Sequence, residues 1–424
     1  MTCRVAAGPP PPQTEWLILA YMAGDNNLEG ELLGDLAEME RVGSHPGQVE
    51  ILAQVDRSPG QDASKGNWHG ARRYYVLKGT DPRKRASRLI ADLGETNTGG
   101  PRVLEDFIAF GARNLPARRT ALILSSHGSG MYTPPEMGSA RRDPSSPHRR
   151  RRRPFFHPTR ERLRETAPST RGIAYDDTSG DCLDMLELNR VLARAHRLLG
   201  RKVDLVGMDA CLMTMIEVAY QIKDHARVLV GSEELDPGAG WPYAAILGDL
   251  AAKPTLGSGE LGATIVRRYI ESYEGTGLDA TQSAIDLDQL DDLVEAVEAL
   301  VLALLAGLRS AGMLAVLRLA WHRTLRFFDD AYVDLHHFAT ELARATDRRR
   351  IRHACEDVRR RIEGRAARSP LFAEEHTGPR VDPARGLSIH FPAFRNPAFH
   401  YREIDFARRT RWADVIDAYL GRGR

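Results

Sequence analysis

The 424-residue chain reads as an α/β protein, a sandwich of helices around a mostly parallel sheet with a helix-rich C-terminal part. Three observations predict this. Across the first 250 residues, short apolar runs of strand length alternate with segments whose apolar residues recur at helical spacing. The runs ending near residues 22, 125 and 209 are apolar nearly throughout, as in strands covered on both faces by crossover helices. Beyond residue 287, Leu, Val and Ala fall at helical spacing over long stretches.

Taken in order, EWLILAYM at 15–22 reads as a strand, and 26–41 as a helix with Leu28, Leu32, Leu36 and Met39 on one face and Asp25 or Asn26 to cap it. Residues 49–55 form the next strand, 72–77 a further strand or hairpin arm, and 103–113 an amphipathic helix leading into the apolar run at 121–125. Residues 186–199 read as helix, 203–209 as strand, 212–222 as helix and 227–231 as a short buried strand. Helices are then expected at 287–308, 313–328, 330–348 and 350–363, a strand at 386–391 and a closing amphipathic helix at 412–420. No internal repeat is found. In domain terms, 1–13 reads as a disordered tail, 14–250 as the core, interrupted at 140–171, and 251–424 as a helix-rich part that packs on the core and returns a strand near 386–391.

Composition fits an ordinary globular protein, with 42% hydrophobic and 27% charged residues. Four widely spaced cysteines, Cys3, Cys182, Cys211 and Cys355, make neither a disulfide framework nor a CxxC metal pattern. The N-terminus lacks an apolar run of signal-peptide length, and the longest apolar stretch, ALVLALLAGL at 299–308, is too short to span a bilayer. A cytoplasmic protein with no membrane partner is expected.

The net charge of +2 is uneven. Residues 140–171 hold eleven arginines against three acids and are rich in Pro and Ser, so this segment is expected to be a mobile insertion. Nucleic-acid binding through it is disfavoured, since no aromatic platform or binding fold surrounds the arginines. GxSxG, P-loop and dinucleotide-binding signatures are absent, which argues against serine hydrolases, NTPases and dinucleotide enzymes.

Two apolar runs end in reactive side chains: ALILSSHGSG carries His127, and VDLVGMDACLM carries Cys211. A thiol acts as a nucleophile only as thiolate, so it needs an imidazole or a helix N-terminus nearby; a helix expected just after Cys211 and a parallel neighbour strand carrying His127 would supply them. Either residue alone reads more simply as a buried Cys or a polar loop His; their joint occurrence at strand ends favours catalysis. They lie 84 residues apart, and 52 remain once the 32-residue insertion is removed, close to the roughly 50-residue spacing of caspases.

The blocks YMAGDNNLE (21–29), SHGSG around His127, YDDTSGD (175–181), VDLVGMDACLMTMIEVAYQIKD (203–224), VGSEELDPGAGWPY (230–243), TQSAIDL (281–287) and GLSIHFP (386–392) resemble the clostripain-like cysteine peptidases. The resemblance implies a caspase-like α/β/α sandwich and a His/Cys dyad at His127 and Cys211. It also implies endopeptidase action on a polypeptide after Arg or Lys, with Asp209 two residues before the nucleophile as first choice for the P1 cation. Glu234 and Asp236 are further substrate-binding candidates, and Glu233 lies beside them. Ala239 stands where several relatives carry Asp, which departs from strict Arg recognition. Backbone N–H groups of Gly128 and Cys211 are the expected oxyanion donors. Self-processing at Arg149, Arg150, Arg151, Arg152 or Arg153 is expected to compete with an uncut linker. No cofactor is required by these residues. Some relatives use Ca2+, and Asp176, Asp177, Asp181 and Asp184 form the acidic patch that could bind it, although turn and helix-cap roles suit them better. A catalytically silent scaffold protein of the same fold is the competing reading.

Overall fold

The computed structural model describes residues 14–64, 66–79, 81, 85–131, 172–364, 369–393 and 401–421. The expected tail at 1–13 and the insertion at 140–171, including Arg149 to Arg153, lie outside the described residues. The strands are β1 (Thr14–Met22), β2 (Val49–Arg57), β3 (Gly70–Tyr75), β4 (Arg88–Gly94), β5 (Ala117–Ser125), β6 (Ile173–Asp176), β7 (Asp181–Leu183), β8 (Leu205–Asp209), β9 (Val228–Gly231), β10 (Ala280–Asp286), β11 (Tyr332–Asp334), β12 (Leu371–Thr377) and β13 (Ser388–His390). A nine-stranded sheet runs in the order β12-β10-β9-β8-β5-β1-β2-β3-β4. Its middle five strands are parallel, and antiparallel strands flank them on both sides.

The period-2 geometry of β1 divides its side chains between two cores. Trp16, Ile18, Ala20 and Met22 join the layer of α1 (Glu29–Val42), while Leu17, Leu19 and Tyr21 join that of α2 (Pro101–Asn114) and α3 (Met185–Leu199). The helix α4 (Ile216–Ile222) packs with α3, and α5 (Tyr243–Ala252) and α6 (Ser258–Tyr273) complete the α1 layer. The later helices are α7 (Leu290–Gly307), α8 (Ala311–Arg323), α9 (Leu335–Ala345), α10 (Arg349–Ile362), α11 (Asp405–Thr410) and α12 (Trp412–Tyr419). They extend the α3 layer. Local chemistry sets the helix limits. Pro101 opens α2 at a position whose N–H would have no helical partner. At α3, Asp184 and Glu187 form a reciprocal capping box, and Gly200 in the left-handed region ends the helix.

Several expectations are corrected. The segment expected as helix from residue 330 begins as β11, and α9 starts at Leu335, where Asp334 caps it through the His337 N–H. The strand expected at 386–391 is β13, but it pairs with β11 instead of the central sheet. Helix α1 starts at Glu29, and neither Asp25 nor Asn26 is its N-cap; Asn26 Oδ1 accepts the Leu28 N–H instead. The part beyond residue 250 supplies β10 and β12 to the main sheet, so it builds the core as well as packing on it. Among the described residues no helix is long and apolar enough to cross a membrane.

Candidate active site

The parallel strands β1, β5 and β8 end level, with Met22 opposite Ser125 and Ser125 opposite Asp209. His127 and Cys211 each lie two residues beyond those paired ends, so the sheet register carries both to one edge. They line a common cleft with Leu28, Glu31 and Asp35 of the α1 region and with Asp209, Asp236 and Pro237. The carboxyl edge of a parallel sheet is where such folds place ligands.

The two loops touch through Gly128. A Cβ at this position would fall 2.5 Å from Cys211 O and 3.1 Å from Cys211 N, so only glycine lets the loops pack backbone to backbone. Immediately after Cys211 the chain turns through Leu212, whose φ of +65° is a left-handed conformation costing an L-residue roughly 1–2 kcal/mol. The turn is held by the Leu212 N–H donating to Glu234 O and by burial of the Leu212 side chain.

Cys211 is half-buried, and its Sγ accepts the Asp236 N–H at 3.2 Å. That hydrogen bond favours thiolate, but burial foremost, then the Asp236, Glu234 and Asp209 carboxylates, push the thiol well up. Cys211 therefore rests as a thiol that needs a base. His127 Nε2 lies 2.9 Å from Asn27 Oδ1, and its ring stands edge-on to Tyr175 at 6.3 Å. With the Asn27 carbonyl as acceptor, Nε2 carries the hydrogen and Nδ1 is the basic nitrogen. Asn26 braces this loop by donating to Ala23 O and Tyr175 O.

The cleft floor is acidic. Asp209 Oδ2 accepts from Tyr243 OH at 2.8 Å, and burial pushes this carboxyl up to about 6. Asp35 is raised by burial and then by Asp209, and Asp236 likewise. Gly240 borders both Asp209 and Asp35, because a Cβ there would sit 3.3 Å from Asp209 Oδ2 and 3.6 Å from Asp35 Oδ2.

Of the expected substrate-binding residues, Asp209 and Asp236 line the cleft and Glu234 does not. The Glu234 carboxylate accepts the Leu235 and Phe328 N–H groups, and that of Glu233 the Gly386 N–H. Asp35, Glu31 and Asn27 were not anticipated. The one signal for the first two is their i,i+4 spacing on α1, which reads equally well as a solvated helix face. The acidic patch considered for Ca2+ does not assemble as expected. Asp181 accepts from Asn97 Nδ2 and the Cys182 N–H, Asp184 caps α3, and Asp176 lies instead beside Asp25 and Asp56.

Clostripain of Hathewaya histolytica is 27% identical over 332 residues, a match spanning 68% of this chain and 56% of that protein. The fold is similar to a secreted C11 cysteine protease from Bacteroides thetaiotaomicron in complex with an irreversible peptide inhibitor, with TM-score 0.64 and 16% identity over 94% of this chain and 99% of that one. It is also similar to an inactive zymogen C11 protease from Parabacteroides distasonis, with TM-score 0.60 and 18% identity at the same coverages. A profile of the Clostripain family matches residues 20–141 and 161–419, nearly the whole sheet and both helical layers, and the chain belongs to that family of cysteine proteases.

Proposed function

We propose that the chain is an endopeptidase in which Cys211 is the nucleophile and His127 the general base, cleaving polypeptides after Arg or Lys. The observation that carries this reading is the register that sets both residues two positions beyond hydrogen-bonded strand ends. His127 Nδ1 takes the thiol proton as Sγ attacks the scissile carbonyl, then returns it to the departing amine, leaving a thioester on Cys211 that water hydrolyses. The N–H groups of Gly128 and Cys211, brought together by the close packing at Gly128, are the donors for the oxyanion.

The basic P1 preference rests on the carboxylates of Asp209, Asp35 and Asp236 around one cleft. Asp35 supplies negative charge to a pocket that lacks a carboxylate at Ala239. Because carboxylates raise the Cys211 pKa, a substrate cation that neutralises them also brings the thiol closer to ionisation. Self-processing within Arg149–Arg153 follows from the same preference.

The test is a fluorogenic panel with Arg, Lys, Asp and Leu at P1, run on wild type and Cys211→Ala, with chain integrity followed on gels. Turnover of Arg and Lys substrates that vanishes in Cys211→Ala, together with cutting only of the wild-type chain, is the expected result. Undiminished turnover by Cys211→Ala would overturn the dyad, and equal rates on Leu and Arg the preference.

A further inference from the structure

We propose that the amino edge of the parallel sheet carries a binding site for a small anion bearing two or more phosphates, built around Arg118, Arg119, Arg201 and Arg227. These arginines line an open cleft of about 630 Å3 together with Asp204, Gly257 and Ser258, a volume in the range of small-ligand sites. The strand β5 runs nine residues from Ala117 to Ser125, so about 27 Å of extended chain separates this cleft from the edge that carries His127 and Cys211. The topology gathers the four side chains. Arg118 and Arg119 follow the first residue of β5, Arg201 precedes β8, and Arg227 stands immediately before β9. Ala121 lies opposite Leu205 and Val203 bridges Ala226, so the three strand starts are neighbours. Helix α6 leads into β10, which runs antiparallel to β9, so its amino end falls on the same edge at Gly257 and Ser258.

The interactions present leave these arginines short of acceptors. Glu15 is shared by Arg118 and Arg119, and Asp204 by Arg201 and Arg227, so two carboxylates serve four guanidiniums. Arg227 also reaches Asp288 at 3.5 Å, but Lys202 holds that acid at 2.6 Å, and Glu260 of α6 is paired with Lys253 at 3.1 Å. Arg201 is the fixed member: its Nη2 donates to Ala117 O and Thr120 Oγ1, both at 3.1 Å, and its Nη1 to Asp204. Arg118 meets Glu15 only at 3.5 Å and Arg227 meets Asp204 only at 4.0 Å, so among the described residues most N–H donors of these two forks are unspent. Planar guanidinium forks match phosphate oxygens two bonds at a time, which a carboxylate-poor cleft of spare donors favours. The N-cap of α6 is Gly257, with no side chain to accept the first-turn N–H groups, and the partial positive charge of that helix end adds to the guanidiniums.

The spacing sets the size of the ligand. β5, β8 and β9 are consecutive in the sheet, so their starts span about 10 Å, more than one phosphate group bridges. A bound polyphosphate ties three strand starts to α6. It takes no part in bond making, because the dyad edge lies well beyond the roughly 8 Å screening length of physiological salt.

The experiment titrates the full chain with sodium tripolyphosphate by calorimetry at physiological salt, with orthophosphate and citrate as competitors. Wild type should bind saturably, and at about 100-fold over Kd its Tm should rise on the order of 3 °C. Orthophosphate should compete weakly, and citrate, an anion without phosphate, should not compete at the same concentration. The Arg118 and Arg227 side chains are 62% and 47% exposed, so Arg118→Gln and Arg227→Gln should keep wild-type circular dichroism while each weakens binding about tenfold. The arginine-rich segment is another place for a polyanion, so a variant combining Arg149→Ser, Arg150→Ser, Arg151→Ser, Arg152→Ser and Arg153→Ser is the control and should bind as wild type does. Absence of saturable binding in wild type would overturn the site, as would binding lost in that control but unchanged in Arg118→Gln and Arg227→Gln. Equal competition by citrate would overturn the phosphate assignment. Neither readout depends on peptidase activity.

Discussion

Replacing Gly128 by Ala tests whether the His127 and Cys211 loops must touch. The added Cβ would start 2.5 Å from Cys211 O, 2.9 Å from Ala210 Cβ and 3.1 Å from Cys211 N, against two backbone atoms that have no rotamer to change. Restoring ordinary contact at 3.4 Å means opening the loops by about 0.9 Å, and a misplacement near 1 Å costs on the order of 100-fold in rate. Overpacking of this kind also destabilises by roughly 1–3 kcal/mol, which leaves a fold of this size intact. The expected outcome is kcat/KM down about 100-fold on an Arg substrate. Active-site titration with a peptidyl electrophile corrects for inactive enzyme. Gly248→Ala is the control: it lies in α5 with nothing within 4 Å of its Cβ position, and should keep full activity and equal or higher Tm. A Gly128→Ala enzyme within threefold of wild type would refute the close-packing argument.

Two further outcomes follow from the buried carboxylates. Binding of benzamidine to Cys211→Ala, measured by calorimetry, should weaken about tenfold per pH unit below about 6 and level off above it, because the cation requires ionised Asp209; Asp35→Asn should lower the plateau affinity, and a pH-independent affinity would contradict the assignment. Glu217, buried against the His390 N–H and Tyr401 OH, is raised by burial to about 7, so the fold prefers its neutral form. Its contribution is full below pH 4.5 and is lost as pH rises through 7, so Glu217→Gln should be near neutral at pH 4.5 and stabilising by up to roughly 3 kcal/mol at pH 8 in urea unfolding; equal effects at the two pH values would count against it.

The parallel centre of the sheet was legible because β1, β5 and β8 carry apolar runs, at 16–22, 121–124 and 205–208, where they are buried on both faces. The antiparallel strands were less so. β10 (ATQSAID) buries Thr281, Gln282 and Ser283, and β12 (LFAEEHT) is a partly exposed edge, so neither shows the apolar run that betrays a central strand. The proposed dyad could be read because His127 and Cys211 each lie two residues beyond a strand end. Asp35 could not, because it reaches the cleft from a helix on another segment, where three-dimensional packing alone separates it from an ordinary surface acid. Asp25 lies three residues beyond β1 and Asp56 is the penultimate residue of β2, and only the folded chain brings Asp176 of β6 beside them.

The pairing of β5 with β8 spans five registered residues, and the two strands belong to chain segments separated by residues 132–171. A single backbone cut anywhere between Met131 and Gly172 would give two polypeptides, one holding His127 and the other Cys211. The sheet would be their joint: separating them means unzipping β5 from β8 and opening a core shared by both pieces. Such a nicked protein would travel as one particle under native conditions and as two under denaturing ones, with its reactive pair divided between different molecules yet still side by side.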